Sequence, residues 1–565
     1  MLLSLAVTLP RSLAAILLAG FLFPHVILSE DPQTPLEVEE LRAPLPPKRV
    51  AVIGAGAAGA SAAYYLRTYS SFFSVPINIT VFEQSSNVGG RSTTVDVFND
   101  PSLPIELGAS IFVDVNRNLM KAAKKFGLKI VRAGEGQPRE STHSLGVWDG
   151  KEFVFKQREN SFRWWNISKL LLRYGWAPMR TQSLMKSTIN NFLKLYRWPY
   201  FPWKSLSSVA ISSGLIEATW ATGAEYLREN HISEPFSREI IQASTRVNYG
   251  QNLPLIHGLE TMVCMATDGA VSIEGGNWQI FRGMIDSSEA KLKLNHRVTK
   301  VNRQDDETYL VSYNGPNNHT DEEQFDQVVI ANPLQFSGIK IKPSISNHPD
   351  AIPYVELHVT VFATTHKLSP KYFKLPLKSS VPEVVLTTLP EGVDLGARRD
   401  GVGPAGFWSI STLMKARPAV AYKGGSIADD QYVYKIFSPK PLSAAFLADI
   451  LDLDELQMLQ TSDNNYNNNT GEYAHTYRTI HDIPKSDISW YYEKVWNSYP
   501  YMYPRVTFED VKLGPNLWYT NGIESFISTM ETSSLAGMNV AALILSQWIS
   551  KFDSKLKMYE DNMSP

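Results

Sequence analysis

Three glycines near the start of the chain have the spacing of a phosphate-binding turn. Gly54 and Gly56 follow the apolar run 50–53, and Gly59 lies near the start of the alanine-rich stretch 57–69. A strand that enters such a turn and a helix that leaves it direct backbone amides and the positive end of the helix dipole at a pyrophosphate. The first glycine permits the tight turn, the second admits the pyrophosphate, and the third lets helix pack on strand. The pattern predicts a dinucleotide-binding turn.

An acidic residue completes this pattern. Glu83 ends the next predicted strand, 77–83, and lies 24 residues after Gly59. At that position its carboxylate would accept hydrogen bonds from the ribose hydroxyls of adenosine, while the amides of Ala57 and Ala58 would face the phosphates. These residues predict a β-α-β unit that binds either NAD or FAD.

A second pair of glycines distinguishes between the two cofactors. Gly89-Gly90-Arg91 resembles the loop that follows this acid in FAD-binding, amine-oxidase-like flavoproteins, and plain nicotinamide dehydrogenases lack it. The resemblance implies an α/β fold: a Rossmann-type, amine-oxidase-like FAD-binding domain with an inserted, discontinuous α+β substrate-binding domain. It places Arg91 over the pyrophosphate and flavin, although a surface cation that caps a loop is the alternative.

Other segments resemble the same superfamily in the same order. Residues 105–110 resemble the strand that passes near the flavin, and 328–333 resemble the strand that returns beneath the cofactor. Val298 lies where this group contacts adenine through backbone atoms. The resemblance therefore implies cofactor contacts from Val298 and from three residues of the flavin strand, Gly108, Ala109 and Ser110.

The C-terminal region supplies the remaining cofactor residues. Glu524 resembles the acid that binds the ribityl or pyrophosphate region, and Met530-Glu531-Thr532 begins an apolar helix. The amides at the start of that helix would point at N1 and C2=O of the flavin, where positive potential stabilises the anionic reduced form. For Glu524 and Glu531, ordinary capping of a helix N-terminus is the alternative.

Two stretches resemble one family within this superfamily. Residues 518–532 read Trp-Tyr-x-Asn-Gly-Ile-Glu and then Ser-x-Met-Glu-Thr, and residues 269–277 read Gly-Ala-Val-Ser-Ile-Glu-Gly-Gly-Asn. Both resemble prenylcysteine oxidases, also called prenylcysteine lyases, and the likeness runs from about residue 48 to 550. The resemblance implies FAD-dependent oxidation of the thioether of farnesyl- or geranylgeranylcysteine with O₂ and water. The implied products are free cysteine, a prenyl aldehyde and H₂O₂, in the degradation of prenylated proteins.

The sequence does not single out a catalytic residue. This reaction needs no nucleophilic serine or cysteine, but a base that activates water would help. Glu106 and His358 are the candidates, and a structural histidine on a strand is the simpler interpretation of His358. Cys264 is the single cysteine, which excludes internal disulfides and a cysteine-cluster metal site, and no metal is predicted.

Two other functions stay open at this stage. An FAD-dependent amine or polyamine oxidase would share the glycine motifs, although not the Asn-Gly-Ile-Glu sequence. A lumenal protein that retains FAD without this activity is the second alternative. The aromatic side chains that amine oxidases often place beside the flavin cannot be located from sequence.

Composition limits the partners of the protein. The formal net charge of −2 gives no global electrostatic reason to bind nucleic acid, and no obligate protein partner is evident. The tryptophan- and leucine-rich stretch 160–200 is predicted to form part of an apolar tunnel for the prenyl group. Its basic residues indicate either peripheral membrane contact or a solvated helix face. They are Arg163, Lys169, Arg173, Arg180 and Lys186.

The N-terminal region predicts entry into the secretory pathway. An apolar run at 13–23 has the length of a signal-peptide core, although an uncleaved anchor is the alternative. Glycosylation sequons at Asn166, Asn318 and Asn468 fit a lumenal protein. The expected location is the lysosome or vacuole, with secretion as the alternative.

These inferences divide the chain into a discontinuous FAD-binding domain and the segments around it. The FAD-binding domain comprises residues 48–135, 261–335 and 506–550. A mainly helical substrate-domain insertion at 136–260 and a substrate-binding domain with a β-sheet at 336–505 interrupt it. The remaining segments are a signal peptide at 1–29, a proline-rich leader at 30–47 and a C-terminal tail at 551–565.

Overall fold

The computed structural model describes residues 46–132, 143–158, 170–317, 319–418, 430–453, 479–549 and 556. The predicted signal peptide, most of the leader and the three sequon asparagines Asn166, Asn318 and Asn468 lie outside these residues. Across the ranges given, no helix combines the length and apolar character needed to cross a membrane.

Segments from distant parts of the chain form one sheet, here called the dinucleotide sheet. In the described ranges it has six strands, in the order Lys512–Gly514, Leu517–Tyr519, Gln327–Ile330, Lys48–Ile53, Ile77–Phe82 and Lys291–Lys293. Neighbouring strands are parallel, except that Lys512–Gly514 is antiparallel to its neighbour. The helix Ala57–Phe72 connects the first two strands in sequence, which confirms the predicted β-α-β unit.

The C-terminal helix Met530–Ser546 packs against the first helix at very short range. A Cβ atom on Gly537 would lie only 2.2 Å from the Ala58 carbonyl oxygen. The Ser61 hydroxyl donates to the Ser534 carbonyl oxygen at 2.6 Å. Small residues on both helices allow this approach, and it fixes the start of the C-terminal helix beside the glycine turn.

A second sheet is built from residues 297–342. Among the residues placed, its four strands are Thr320–Phe325, Tyr309–Asn314, Arg297–Arg303 and Lys340–Lys342. Residues 291–303 form two strands, Lys291–Lys293 and Arg297–Arg303, in different sheets. Asn295 separates them because its φ of 57° is incompatible with an extended strand. The turn allows the chain to leave one sheet and enter the other.

The largest sheet, here called the substrate sheet, is formed by strands from residues 143–158 and 354–500. In the described part of the chain its seven strands run Trp490–Pro500, Tyr354–Thr364, Gln431–Ser438, Ser409–Ala416, Val384–Thr387, His143–Trp148 and Phe153–Arg158. Leu357 and Val359 pack with Ile105 and Leu107, so this face of the sheet is turned toward the predicted flavin strand. Exposed Glu356 and partly exposed His358 alternate with these buried residues, as in a strand with one covered face.

Helices cover the region between the N-terminal strands and this sheet. Those of the insertion are Ala177–Phe192, Leu206–Ser213, Gly223–Glu229, Glu234–Phe236, Gln242–Tyr249 and Gly258–Met265, with a π-helical turn at Ser237–Ile241. Elsewhere the helices include Arg117–Lys125, Trp278–Ser287, Leu334–Ser337 and Ala444–Leu451.

The prediction for 136–260 overlooked a β-hairpin. The strands His143–Trp148 and Phe153–Arg158 pair with each other, and the first also pairs in parallel with Val384–Thr387. Asp149 accepts hydrogen bonds from the backbone amides two and three residues later, and Gly150 has a φ of 94°. An Asp-Gly pair between apolar runs is a strong hairpin signal that the helical interpretation missed.

A buried arginine joins the helical insertion to the substrate sheet. Arg246 is fully buried, and its guanidinium donates to Thr387 Oγ1 at 2.9 Å, Asn252 Oδ1 at 2.8 Å and the Val402 carbonyl oxygen at 2.6 Å. It also lies 4.7 Å from the ring centroid of Trp408. We expect Arg246→Met to lower the free energy of unfolding by about 3 kcal/mol, because several buried acceptors lose their donor. Urea unfolding measures this change.

The matched control is Arg282→Met. Arg282 is half exposed and pairs with Asp286 one helical turn away, so its removal is expected to change stability by less than about 0.5 kcal/mol. Equal unfolding free energies for the Arg246 variant and the wild type would contradict the structural role of Arg246.

Candidate active site

The glycine turn and the Gly-Gly-Arg loop lie against each other. A Cβ on Gly59 would lie 1.9 Å from the Gly54 carbonyl oxygen, and Gly54 itself has a φ of 110°. Gly56 forms a parallel bridge with Gly89, and a Cβ on Gly90 would lie 3.2 Å from Gly56 Cα. Together these glycines make a shallow backbone surface at the carboxyl end of the dinucleotide sheet, where such folds bind ligands.

Glu83 is at the same end of the sheet, as predicted. Its Oε2 accepts a hydrogen bond from the Ala55 amide at 2.9 Å, and its Oε1 accepts one from the Ser85 amide at 2.8 Å. The carboxylate is thus held beside the glycine turn. Val298 is buried and packs in one cluster with Ile53 and Phe82, so it borders the same strands.

Arg91 forms an ion pair with Glu524, 433 residues later in the chain. The guanidinium contacts both carboxylate oxygens, and it also donates to the Ser498 carbonyl oxygen. The Tyr354 hydroxyl donates to Glu524 Oε2 at 2.9 Å. Glu524 is nearly inaccessible, with 3% of its side chain exposed against 36% for Arg91. This network ties the Gly-Gly-Arg loop to the C-terminal segment and to the substrate sheet.

The predicted flavin strand is held from two sides. Asn277 donates its amide to Glu106 Oε1 at 2.5 Å and its side-chain nitrogen to the Ala109 carbonyl oxygen at 2.8 Å. From the substrate sheet, Lys435 Nζ donates to the Glu106 carbonyl oxygen at 2.9 Å and to Ser110 Oγ at 3.3 Å. A Cβ on Gly108 would meet the Trp496 ring at 2.8 Å. The segment is therefore held between Asn277 on one side and the substrate sheet on the other.

Lys435 is a residue of this site that sequence reasoning missed. It lies opposite Val361 in the substrate sheet, on the face turned toward the flavin strand. Burial lowers the pKa of its ammonium group to about 8. The available signal was a lysine among the apolar and aromatic residues 432–437 of the strand Gln431–Ser438.

Burial also raises the pKa of Glu106 to about 7, from an ordinary value of 4.5. The folded protein thus keeps a proton on Glu106 that the unfolded chain has already lost between pH 4.5 and 7. Its contribution to stability is complete below pH 4.5 and is lost as the pH rises through about 7. Between pH 4.5 and 7 the wild type should therefore lose unfolding free energy that the Glu106→Gln variant keeps. We expect this difference to be about 2 kcal/mol.

Urea unfolding of the wild type and the Glu106→Gln variant at pH 5 and pH 7.5 tests this expectation. Other titrating groups affect both proteins alike, so the difference between the two pH dependences isolates Glu106. Parallel pH profiles would show that the carboxyl titrates normally in the folded protein.

The two catalytic candidates lie on different faces of the substrate sheet. His358 alternates with Leu357 and Val359, whose side chains face Ile105 next to Glu106. The His358 ring therefore points to the opposite face, where Nε2 lies 3.5 Å from an oxygen of Glu356. The structure does not bring His358 and Glu106 together.

The start of the C-terminal helix is capped by its own residues. Thr529 accepts a hydrogen bond from the Thr532 amide at 3.1 Å, and the Thr532 hydroxyl donates to the Ile527 carbonyl oxygen at 2.7 Å. This cap uses the amide of the third helical residue and leaves those of Met530 and Glu531 at the N-terminus. The predicted cofactor contact through amides is compatible with this arrangement.

The Glu531 carboxylate makes hydrogen bonds of its own, separate from the cofactor contact predicted for the Glu531 amide. It accepts hydrogen bonds from the Asn118 and Leu119 amides at 2.8 and 3.0 Å and from the Tyr196 hydroxyl at 2.5 Å. It therefore caps a different helix, Arg117–Lys125, and burial raises its pKa. The capping alternative applies to this side chain, although the helix it caps is not its own.

Several buried polar atoms around the glycine turn lack partners that a cofactor would supply. Among the described residues, the atoms without a hydrogen bond include Ser92 Oγ, Glu106 Oε2, Asn332 Oδ1, Trp496 Nε1 and Ser498 Oγ. All lie on or next to the segments just described. A dinucleotide with phosphate, hydroxyl and flavin polar groups fits this set of donors and acceptors together with the glycine surface.

Comparison with known proteins agrees with this site. A family model described as prenylcysteine lyase matches residues 157–556, and one described as an NAD(P)-binding Rossmann-like domain matches residues 52–126. Farnesylcysteine lyase of Arabidopsis thaliana is 31% identical over 525 residues, 89% of each chain. Prenylcysteine oxidase 1 of Homo sapiens is 27% identical over 91% of each chain.

Solved structures support the fold. A putrescine oxidase superposes with a TM-score of 0.52 at 14% identity, covering 88% of this chain and 99% of its own. Cyclohexylamine oxidase from Brevibacterium oxydans gives a TM-score of 0.51 at 14% identity, covering 89% of this chain and 100% of its own. The amine-oxidase-like, FAD-binding fold is confirmed, and with the family match over residues 157–556 the chain belongs to the prenylcysteine lyase family.

Proposed function

We propose that this protein is an FAD-dependent prenylcysteine oxidase. It cleaves farnesyl- or geranylgeranyl-L-cysteine with O₂ and water to free cysteine, a prenyl aldehyde and H₂O₂. The observation that carries the proposal is the Arg91–Glu524 pair, which joins the Gly-Gly-Arg loop to the Asn-Gly-Ile-Glu segment in a chain of this family.

The residues that would hold FAD are those of the glycine surface, Glu83, Arg91 and the first amides of the C-terminal helix. When bound, FAD accepts the two electrons of the thioether oxidation and transfers them to O₂. The protein contributes position, because Arg91 and the clamped segment 106–110 fix the edges of the cofactor site. The start of the C-terminal helix adds positive potential.

The face of the substrate sheet that is turned toward the flavin strand offers an apolar surface for the prenyl chain. Partly exposed side chains on or beside this face are Leu413, Met414, Phe437, Trp496 and Tyr499. An allylic thioether held against such a surface is shielded from bulk water, so the protein chiefly has to orient its reacting carbon. The predicted tunnel wall at 160–200 stays a prediction, since residues 159–169 lie outside the described ranges.

Glu106 is the better placed of the two base candidates. It lies on the cofactor side of the substrate sheet, and its Oε2 has no hydrogen-bond partner among the residues described. A carboxyl with a pKa of about 7 can accept a proton from water near neutral pH. His358 faces away from this region.

The location and the membrane contact belong to the same proposal. A lumenal compartment, the lysosome or vacuole, suits the N-terminal apolar run and the sequons. Leu172 and Trp176 lie on either side of the turn at Gly175, are 88% and 69% exposed, and support peripheral membrane contact. Fractionation of cells tests the compartment. If the double substitution Leu172→Ser and Trp176→Ser leaves co-sedimentation with vesicles unchanged, this contact surface is excluded.

Product analysis under air tests the activity. Farnesylcysteine is expected to give equimolar cysteine, farnesal and H₂O₂. Oxidation of putrescine or benzylamine with no reaction of farnesylcysteine would instead support an amine oxidase, which shares the fold.

A further inference from the structure

Glu260, on the helix Gly258–Met265, is a buried carboxyl group that the reaction just described does not use. Its side chain is fully inaccessible, and neither carboxylate oxygen has a hydrogen bond of good geometry within the described residues. In the same residues no lysine or arginine forms an ion pair with it. An unpaired buried carboxylate is costly, and such groups are normally paired with a cation or kept neutral.

One tyrosine, Tyr249, lies next to this carboxyl group, and a second, Tyr499, packs on the first. The Tyr249 hydroxyl group and the Ser528 amide lie nearest to it. Tyr249 donates its hydroxyl hydrogen to the Ser528 carbonyl oxygen at 2.9 Å, and its ring lies 5.0 Å from that of Tyr499, inclined at 64°. Glu260 and Tyr249 are buried, whereas Tyr499 and Ser528 are partly exposed and form the accessible side of the cluster.

The cluster lies between two anchors of the cofactor site. Tyr499 follows Ser498, whose carbonyl oxygen accepts from Arg91. Ser528 precedes the helix that begins at Met530. Glu260 thus approaches the site from the helical insertion, between the Gly-Gly-Arg loop and the start of the C-terminal helix.

A carboxylate next to a pair of packed tyrosines complements an alkylammonium ion. The carboxylate supplies the opposite charge, and tyrosine rings attract a cation through their quadrupoles. S-Prenylcysteine carries one such group, the α-ammonium of its cysteine moiety. We propose that Glu260, with Tyr249 and Tyr499, binds the α-ammonium group of the substrate and so selects free prenylcysteine over amine-free prenyl thioethers. This inference rests on the proposed function.

The titration of the cluster fits this role. Burial raises the pKa of Glu260 to about 8, and the groups that face it, Tyr249, Cys264 and the Ser528 amide, carry no positive charge. An incoming ammonium favours the ionised carboxylate, so binding near pH 7 should release about one proton from Glu260.

Steady-state kinetics of Glu260→Gln with two substrates test the proposal. The substrates are farnesylcysteine and 3-(farnesylthio)propanoic acid, which has the same thioether and carboxylate but no amine. We expect the KM for farnesylcysteine to rise about 10- to 100-fold, and kcat/KM for the amine-free acid to change by less than about 3-fold. The matched control is Glu239→Gln, which removes another buried carboxylate, paired with Arg173. It should leave the KM for farnesylcysteine and the kcat/KM for the amine-free acid unchanged.

A binding measurement gives a readout that does not depend on turnover. Calorimetric titration with S-dodecylcysteine, which lacks the allylic double bond, in two buffers of different ionisation enthalpy counts the protons released. The wild type should release about one proton that Glu260→Gln does not release.

Three results would overturn the inference. These are an unchanged KM for farnesylcysteine, an equal loss of kcat/KM for both substrates, or a fall in kcat alone for both substrates. The last would make Glu260 a base for water instead. A wild-type protein that turns over neither thioether would refute the proposed function itself and is distinguishable from each of these.

Discussion

Arg91→Met is expected to lower the FAD content of the purified protein at least ten-fold. The substitution removes the only ionic partner that the structure gives Glu524 in its described residues, and it leaves a carboxylate of which 3% is exposed with the Tyr354 hydroxyl. Removing one member of a buried ion pair costs about 3–5 kcal/mol, and the partial exposure of Arg91 argues for the lower end. The ratio of flavin to protein absorbance after gel filtration measures the occupancy.

Arg49→Met is the matched control for this variant. Arg49 pairs with Asp326 at 3.2 Å at the far end of the same sheet, and both side chains are more exposed than that of Glu524. Its loss should leave the FAD content unchanged and cost less than about 1 kcal/mol. The double substitution Arg91→Met and Glu524→Gln should recover some of the lost stability, because no unpaired charge remains. Full FAD occupancy in the Arg91 variant would contradict the role of the pair.

Gly59→Ala is expected to give protein that neither binds FAD nor folds stably. The added Cβ would lie 1.9 Å from the Gly54 carbonyl oxygen and 3.3 Å from Ala331 Cβ. Both neighbours belong to strands or turns of the buried dinucleotide sheet, so the first helix would have to move away from it. We expect a loss of more than about 4 kcal/mol in unfolding free energy, which is the range of severe overpacking.

Gly315→Ala serves as the control for this substitution. The nearest atom to its added Cβ would be His296 Nε2 at 3.4 Å, an ordinary contact at the end of a long side chain. It should change stability by less than about 0.5 kcal/mol. The account of the turn fails if the Gly59 variant retains bound FAD and unfolds at the same urea concentration as the Gly315 variant.

Sequence reasoning located those regions of the site whose chemistry is local. Gly54, Gly56 and Gly59 act through the geometry of one turn, so their spacing carries the prediction. The same holds for the start of the C-terminal helix, where Thr529 caps the residues that follow it. Alternation over residues 355–359 is also readable from the sequence, because a strand with one covered face has a period of two.

Contacts between distant segments could not be predicted in the same way. Nothing near Arg91 in the sequence indicates that its partner is Glu524, and nothing near Glu531 indicates that it caps the helix Arg117–Lys125. Lys435 and Glu260 are charged residues in apolar surroundings, and only the fold shows what surrounds them. The Asp149-Gly150 hairpin, in contrast, was readable and was missed, because the tryptophans and leucines that follow favoured a helical interpretation.

Anaerobic titration of the purified protein with farnesylcysteine tests the central claim most directly. We expect the flavin absorbance band to bleach with one equivalent of farnesylcysteine and to stay unchanged with spermine or benzylamine. Readmitted O₂ should restore the band and leave farnesal in solution. A protein that contains FAD but is not bleached by farnesylcysteine would contradict the account.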